Sequence, residues 1–321
     1  MLRDRRGVAL MLALWLTVVL GTIAVGVAAL VRGQANVVAN VHTRAAARYA
    51  AESGILAATW RLKQVLRAAE TPRDQALVFR HLDRVLADLQ EERVGEGAER
   101  FQVAVVDLNA RLDLNNADEP TLIAFFTQFA GPRDAPALAA ALQDWRDADD
   151  LVHEGGGAEA ADYERAGSLF RPPNRPLQRL DELTRIKGFS DSLADRIAPY
   201  VTVRGDGRVN LNTAPAVVLA PTLGIGPAGA SVIESKRING EVFTSLGDVW
   251  RILPQGSGVG GGRGIDISRL TTMPKRLLFI SRGWEVGTPL THEIQAIYDL
   301  DAVQLTTGPR LELRFWTERD R

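Results

Sequence analysis

Cysteine is absent from all 321 residues, and that omission removes disulfides, thiolate zinc sites, iron–sulfur clusters and thiol catalysis together. Histidine is scarce. Only His42, His81, His153 and His292 occur, no two of them four residues apart, so no helix presents the paired rings of a zinc enzyme. An excess of either charge is missing too: 38 basic against 39 acidic side chains leave a net charge of -1, without the cationic surplus of a protein that coats nucleic acid. Proline does not occur before Pro72. What remains is 46% hydrophobic, enough for one or two packed domains and too much for a disordered chain.

Charge is also absent from Val8 through Val31, an apolar run of 24 residues that ends at Arg32. About 20 apolar residues at ~1.5 Å each cross a bilayer core, whereas a secretory apolar region runs only ~7 to 15. Residues 8–31 therefore read as a transmembrane helix. Arg3, Arg5 and Arg6 precede it, which keeps the N-terminus cytoplasmic and sends the rest outward. Helical spacing continues through Ala35, Val38, Val41, Ala45, Tyr49, Ile55, Leu56 and Leu62, predicting one helix of roughly 55 residues that leaves the membrane as an amphipathic stem. Residues 32–98 are assigned to that stem and a linker.

Arg100 to Val106, Leu277 to Ser281, Glu293 to Leu300 and Leu311 to Phe315 have strand character. Gly287-Thr288-Pro289 and Thr307-Gly308-Pro309 separate the last three. The expected fold is α+β: a long N-terminal transmembrane and stem α-helix packed on a small antiparallel β-sheet, built from 99–114 and 275–321. A large α-helical domain, 115–274, is inserted into that sheet. The insertion repeats itself. Leu112-Asp113-Leu114-Asn115-Asn116-Ala117 recurs as Val209-Asn210-Leu211-Asn212-Thr213-Ala214, with Asn116 and Thr213 placed to cap the helices that follow. Gly188-Phe189-Ser190 and Gly224-Ile225-Gly226 are each followed by Ala and Ile at matching offsets, and they resemble helix-hairpin-helix and SAM-like units. Such units suggest an alternative, a membrane-anchored DNA-uptake receptor. Seven basic and seven acidic residues between Asp181 and Glu241 argue against it, because phosphate binding needs a basic surplus.

Chemistry concentrates between Asp144 and Glu164, where Asp144, Asp147, Asp149, Asp150, Glu154, Glu159, Asp162 and Glu164 face a single Arg146. Gly155-Gly156-Gly157 lets this segment fold back. Hard oxygens around a flexible turn suit Ca²⁺, although no Gly stands where an EF-hand needs one; a solvated acidic loop accounts for the residues equally well. No Ser/His/Asp order or dinucleotide fingerprint accompanies the carboxylates, and Gly256 to Gly262 lacks the Lys-Ser/Thr of a phosphate loop. The chain does not read as an enzyme. Trp145, Trp250, Trp284 and Trp316 read as core or interface anchors.

Basic residues ending in Gly7, then Val8 and an unbroken apolar helix, resemble the type IV prepilin leader (residues 1–7), which a prepilin peptidase cuts after Gly7 before the new amine of Val8 is methylated. Pilins usually carry Glu at the fifth mature position; here it is Leu12. An unpaired carboxylate in lipid costs several kcal/mol, and a subunit at the fibre tip has no preceding amine to pair with one. With the helical insertion and the Asp144-Trp145-Arg146-Asp147-Ala148-Asp149-Asp150, Gly157-Ala158-Glu159 and Tyr163 blocks, the sequence resembles the type II secretion minor pseudopilin protein K family. The resemblance implies a non-catalytic tip subunit that initiates or caps the pseudopilus for export of folded periplasmic proteins. Its expected partners are I- and J-class minor pseudopilins through the stem helices, the prepilin peptidase and the inner-membrane secretion platform, with no nucleic acid. It further implies a single-pass inner-membrane protein with a periplasmic C-terminal domain. Calcium would be held by Asp144, Asp147, Asp149, Asp150, Glu154, Glu159 and Asp162, with Glu164 a bystander.

Overall fold

Uninterrupted helix is what an Ala-rich chain without proline should give, and α1 spans Asp4–Ala68, 65 residues, in the computed structural model, which describes residues 4–89, 92–93, 97–252, 266–301 and 308–321. It runs a few residues beyond the apolar periodicity at each end, and neither Gly33 nor Gly54 breaks it. From Val8 to Val41 its large apolar side chains stand exposed, and this stretch is long and apolar enough to cross a membrane. Beyond it, Ala47, Ala50, Ala51, Ile55, Ala58 and Leu62 form a buried stripe at helical spacing.

That stripe lies on a sheet whose strand order is β1-β2-β7-β8-β9, all neighbours antiparallel. The strands are β1 (Glu92–Arg93), β2 (Glu99–Asp107), β7 (Arg276–Glu285), β8 (Thr291–Asp301) and β9 (Arg310–Asp320). Alternation puts Phe101, Val103, Leu277, Phe279, Ile294 and Ala296 against α1. Contact between helix and sheet is backbone-close. A Cβ on Gly283 of β7 would strike Ala47 O and Ala51 N, and one on Gly54 would strike Ser281 and Phe101. Two short helices, α2 (Pro72–Arg80) and α3 (Leu82–Val85), add Phe79 and Leu82 to this core, and Thr71 caps α2 by accepting from Asp74 N at 3.1 Å.

Between Asp107 and Arg276 the chain leaves the sheet and builds a second core around Phe125, Phe126, Leu142, Trp145, Leu211 and Ile233. Its helices are α4 (Glu119–Ala130), α5 (Ala135–Arg146), α6 (Ala160–Arg165), α7 (Asp191–Ile197), α8 (Ala216–Leu223), α9 (Pro227–Ile238) and α10 (Asp248–Ile252). Two short parallel ladders join it: β3 (Leu112–Asp113) with β4 (Val201–Thr202), and β5 (Val209–Asn210) with β6 (Leu270–Thr271).

The sequence repeat is a structural repeat. Asn115 donates to Leu177 O and Val203 O and accepts from Leu177 N; Asn212 donates to Phe243 O and Thr272 O and accepts from Phe243 N, all between 2.7 and 2.9 Å. An arginine on the second helix of each copy closes the turn: Arg146 donates to Leu114 O and Ala117 O, Arg237 to Leu211 O and Ala214 O. Glu182 receives Gln178 N and Arg179 N as Asp248 receives Thr244 N and Ser245 N. The expected caps are corrected. Asp118 caps α4 and Pro215 precedes α8, because Asn116 turns back to Asp113 and Thr213 donates to Asp107. Both hairpin glycines, Gly188 (φ 88°) and Gly224 (φ 63°), occupy left-handed backbone.

A seam of buried polar groups joins insertion to sheet. Asn109 accepts from Lys275 N and Arg276 N and donates to Asp206 and Arg208 O, while Asp107 receives Asn210 and Thr213. The 256–262 glycine run falls outside the described residues.

Candidate metal centre

Helix α5 ends in Asp144-Trp145-Arg146, and its periodicity buries Asp144 and Trp145 while Asp147 terminates the helix. The following chain turns through Gly155 (φ 97°) and Gly156 (φ 118°) and returns as Gly157-Ala158-Glu159 to the start of α6. Gly157 is required there, since a Cβ would collide with Asp144 Oδ2. Trp145 and Tyr163, with ring centroids 5.9 Å apart, brace the return.

Asp144 and Asp147 converge with His153, Glu159 stands nearby, and each of the three carboxylates keeps at least one oxygen without a hydrogen-bond partner. Asp144 is fully buried: its Oδ1 accepts from His153 N at 3.0 Å and lies 2.6 Å from His153 Nδ1, but Oδ2 has no partner. Both oxygens of Asp147 and both of Glu159 are equally orphaned, although Asp147 Oδ2 stands 3.4 Å from His153 Nδ1. Arg146 points away to its main-chain carbonyls. Burial and then the fields of Asp144, Asp147, Asp150 and Asp149 push the Glu159 carboxyl up to about 7. Burial and Asp149 likewise raise Asp147, partly countered by His153. Buried carboxylate oxygens with no donor are what a divalent cation would satisfy, and Asp144 and Asp147, whose ligand atoms lie within 4.8 Å of each other and of His153, fit such an ion.

The remaining expected ligands take other places. Asp149 and Asp150 are exposed at the rim, held by Asn174, which donates to Asp149 O (2.9 Å) and Asp150 Oδ1 (3.0 Å). Glu154 is exposed. Asp162 is already engaged, accepting from Glu159 N at 3.0 Å and Arg165 at 2.6 Å. Glu164 pairs with Arg171 at the surface. Two residues passed over in the sequence belong here: His153, grouped with Asp144 and Asp147, and Asn174, whose positive φ of 48° and orphaned Oδ1 mark it. Asn174 lies outside the acidic run, and His153 has no second histidine at helical spacing to mark it as a ligand.

The Gly224 hairpin, candidate for phosphate, borders a cleft lined by Asp118 and Asp266, and Arg269 there is held by both at 3.0 and 3.3 Å. Gly7 and Val8 lie in the opening turns of α1.

Residues 100–206 match the family model described as type II secretion system (T2SS), protein K. The chain is similar to type II secretion system protein K of Klebsiella pneumoniae, 31% identical over 41% of this chain and 42% of the relative. With protein K of Pseudomonas aeruginosa it shares 28% identity over 79% of each chain. In fold it is similar to a chain of the GspK-GspI-GspJ complex from enterotoxigenic Escherichia coli, with a TM-score of 0.57 and 16% identity, covering 85% of this chain and 99% of that one.

Proposed function

We propose that this chain, similar to protein K of the type II secretion system, is a member of that family and a non-catalytic minor pseudopilin at the tip of the secretion pseudopilus. Its apolar span holds it in the inner membrane with the N-terminus in the cytoplasm until the leader is cut at Gly7 and Val8 is methylated. The stem then associates with the stems of I- and J-class subunits. The observation that carries this reading is the outer face of α1. While the small-residue stripe is sealed on the sheet, Tyr49, Leu56 and Trp60 stand 67%, 69% and 63% exposed beyond the membrane stretch, an apolar helix face suited to a second helix. The helical insertion widens the head above the stem and would obstruct a further subunit, which favours initiation or capping over elongation.

Calcium is the second part of the proposal. Asp144, Asp147 and Glu159 would hold it, with Asp149 and Asp150 at the rim, and the ion would neutralise carboxylates that otherwise repel one another.

The test is Leu56→Arg with Trp60→Glu in the native membrane, alongside Gly7→Ala. The double variant is expected to stay folded yet fail to copurify with I- and J-class subunits, and Gly7→Ala to retain Met1. Normal copurification, or full secretion by uncut protein, would overturn the reading.

A further inference from the structure

On the face of the sheet turned away from α1 lies a cleft of about 590 Å³, roofed by the insertion. Its floor is apolar, with Leu278, Ile297 and Phe315 from three neighbouring strands and Leu108 and Leu180 from the segments above. Its charges do not balance. Every carboxylate that lines it is already taken: Asp181 by Arg179 at 2.9 Å, Glu293 by Arg282 and Arg319 at 2.8 and 2.7 Å, and Glu318 by Arg48 at 3.2 Å. Two guanidiniums in the lining are left over. Arg204 lies over the Phe315 ring, 3.6 Å from its centroid, and no carboxylate among the described residues lies within ion-pairing distance of it. No acceptor among the described residues reaches the half-buried Arg111 side chain, whose pKa burial lowers. Half-buried guanidiniums with no acidic partner among the described residues are open to an anion arriving from outside.

We propose that this cleft binds a carboxylate-bearing segment of another protein, with Arg111 and Arg204 receiving the acid and the apolar floor holding the side chains beside it. The chemistry favours a peptide over a free inorganic anion, because a small hydrated ion gains nothing from a floor of Leu, Ile and Phe. Planar guanidiniums also match a carboxylate in two-point geometry. The site is independent of the stem face and of the acidic cluster, so it stands whether or not either of those roles holds.

The test uses the full chain in detergent and two fluorescent probes of equal length, Ac-Leu-Glu-Phe-Glu-amide and its neutral counterpart Ac-Leu-Gln-Phe-Gln-amide, read by anisotropy. The acidic probe is expected to bind at least tenfold more tightly than the neutral one. Arg204→Gln, with a wild-type melting temperature, should weaken it about tenfold, Arg111→Gln should do the same, and Arg111→Lys should recover part of the loss. Inorganic phosphate should compete only weakly. Equal binding of the two probes, no binding of either, or full affinity in Arg204→Gln would overturn the proposal. Saturable phosphate binding that excludes the acidic probe at equal concentration would overturn it as well, making the cleft a small-anion site; a C-terminal acid probe outcompeting the side-chain acids would retain the carboxylate and reassign its source.

Discussion

Asp107 and Glu293 are both buried carboxylates, and their surroundings drive them in opposite directions. Burial raises Asp107 to about 6, because hydrogen bonds from Thr213, Asn210 and Asn109 N offset desolvation only in part and Asp206 lies nearby. Burial raises Glu293 too, but Arg282, Arg319 and Gln295 outweigh it and bring the group down to about 2. For Asp107 the native state binds the proton more tightly than the unfolded chain. Its contribution is complete below the unfolded value of 3.8 and is lost as pH rises through about 6, a change of about 3 kcal/mol. For Glu293 the contribution is present above 4.5 and lost as pH falls toward 2. Urea unfolding across pH 4 to 7 should therefore show stability falling on the way up, and Asp107→Asn should remove part of that slope, the part from Glu159, raised to about 7, remaining. An unchanged slope in the variant would assign it elsewhere. The Asn side chain turns a donor toward Asn210, so absolute stability is expected to drop by about 1 kcal/mol.

Close approach of elements decides the packing, and Gly283 tests it. Its missing Cβ is the space that the main chain of α1 occupies at Ala47 and Ala51, so Gly283→Ala should cost about 2 to 3 kcal/mol in chemical denaturation. Gly226→Ala, with nothing within 4 Å of the added carbon, should cost under about 0.5 kcal/mol. Asn212 makes the matching case in the insertion: Asn212→Ala strands one N–H and two carbonyls and should cost about 3 kcal/mol. Asn212→Asp should be no better, since an oxygen would then face two carbonyl oxygens. These elements were unequally legible. The four long strands and the stem follow from periods of 2 and 3.6 set by side chains that are local in sequence. The clamps do not. Asn115 finds its partner at Leu177 but Asn212 finds it at Phe243, because residues 147–176 fill in one copy what 238–242 fill in the other, and unequal spacing conceals the repeat of Arg146 as Arg237. Asp144, Asp147 and Glu159 were legible as acids in one run, but only the α5 terminus and the glycine turn decide that Asp162 faces Arg165 instead.

At the scale of the whole molecule, the stem and sheet form one body and the helical insertion another, joined at Asn109 and Asp107 and bridged again by Arg80, which donates to Arg237 O and Glu241 O. The acidic centre sits within the insertion, where the 147–176 excursion must be held so that Leu177 reaches the Asn115 clamp. Orphaned carboxylates oppose that order and a bound cation favours it. Ca²⁺ at about 100 times its dissociation constant should add about 2.7 kcal/mol to the insertion, whereas stem and sheet, whose core is separate, should respond little. Chelation of the full chain in detergent is then expected to lower the melting temperature and to release amide protection across 147–176, leaving 276–301 protected in hydrogen exchange. Asp144→Asn with Glu159→Gln should abolish the calcium response and resemble the neutralised cluster even with chelator present. Equal protection of 147–176 with and without calcium would remove the ion from the architecture and leave His153 alone to hold Asp144.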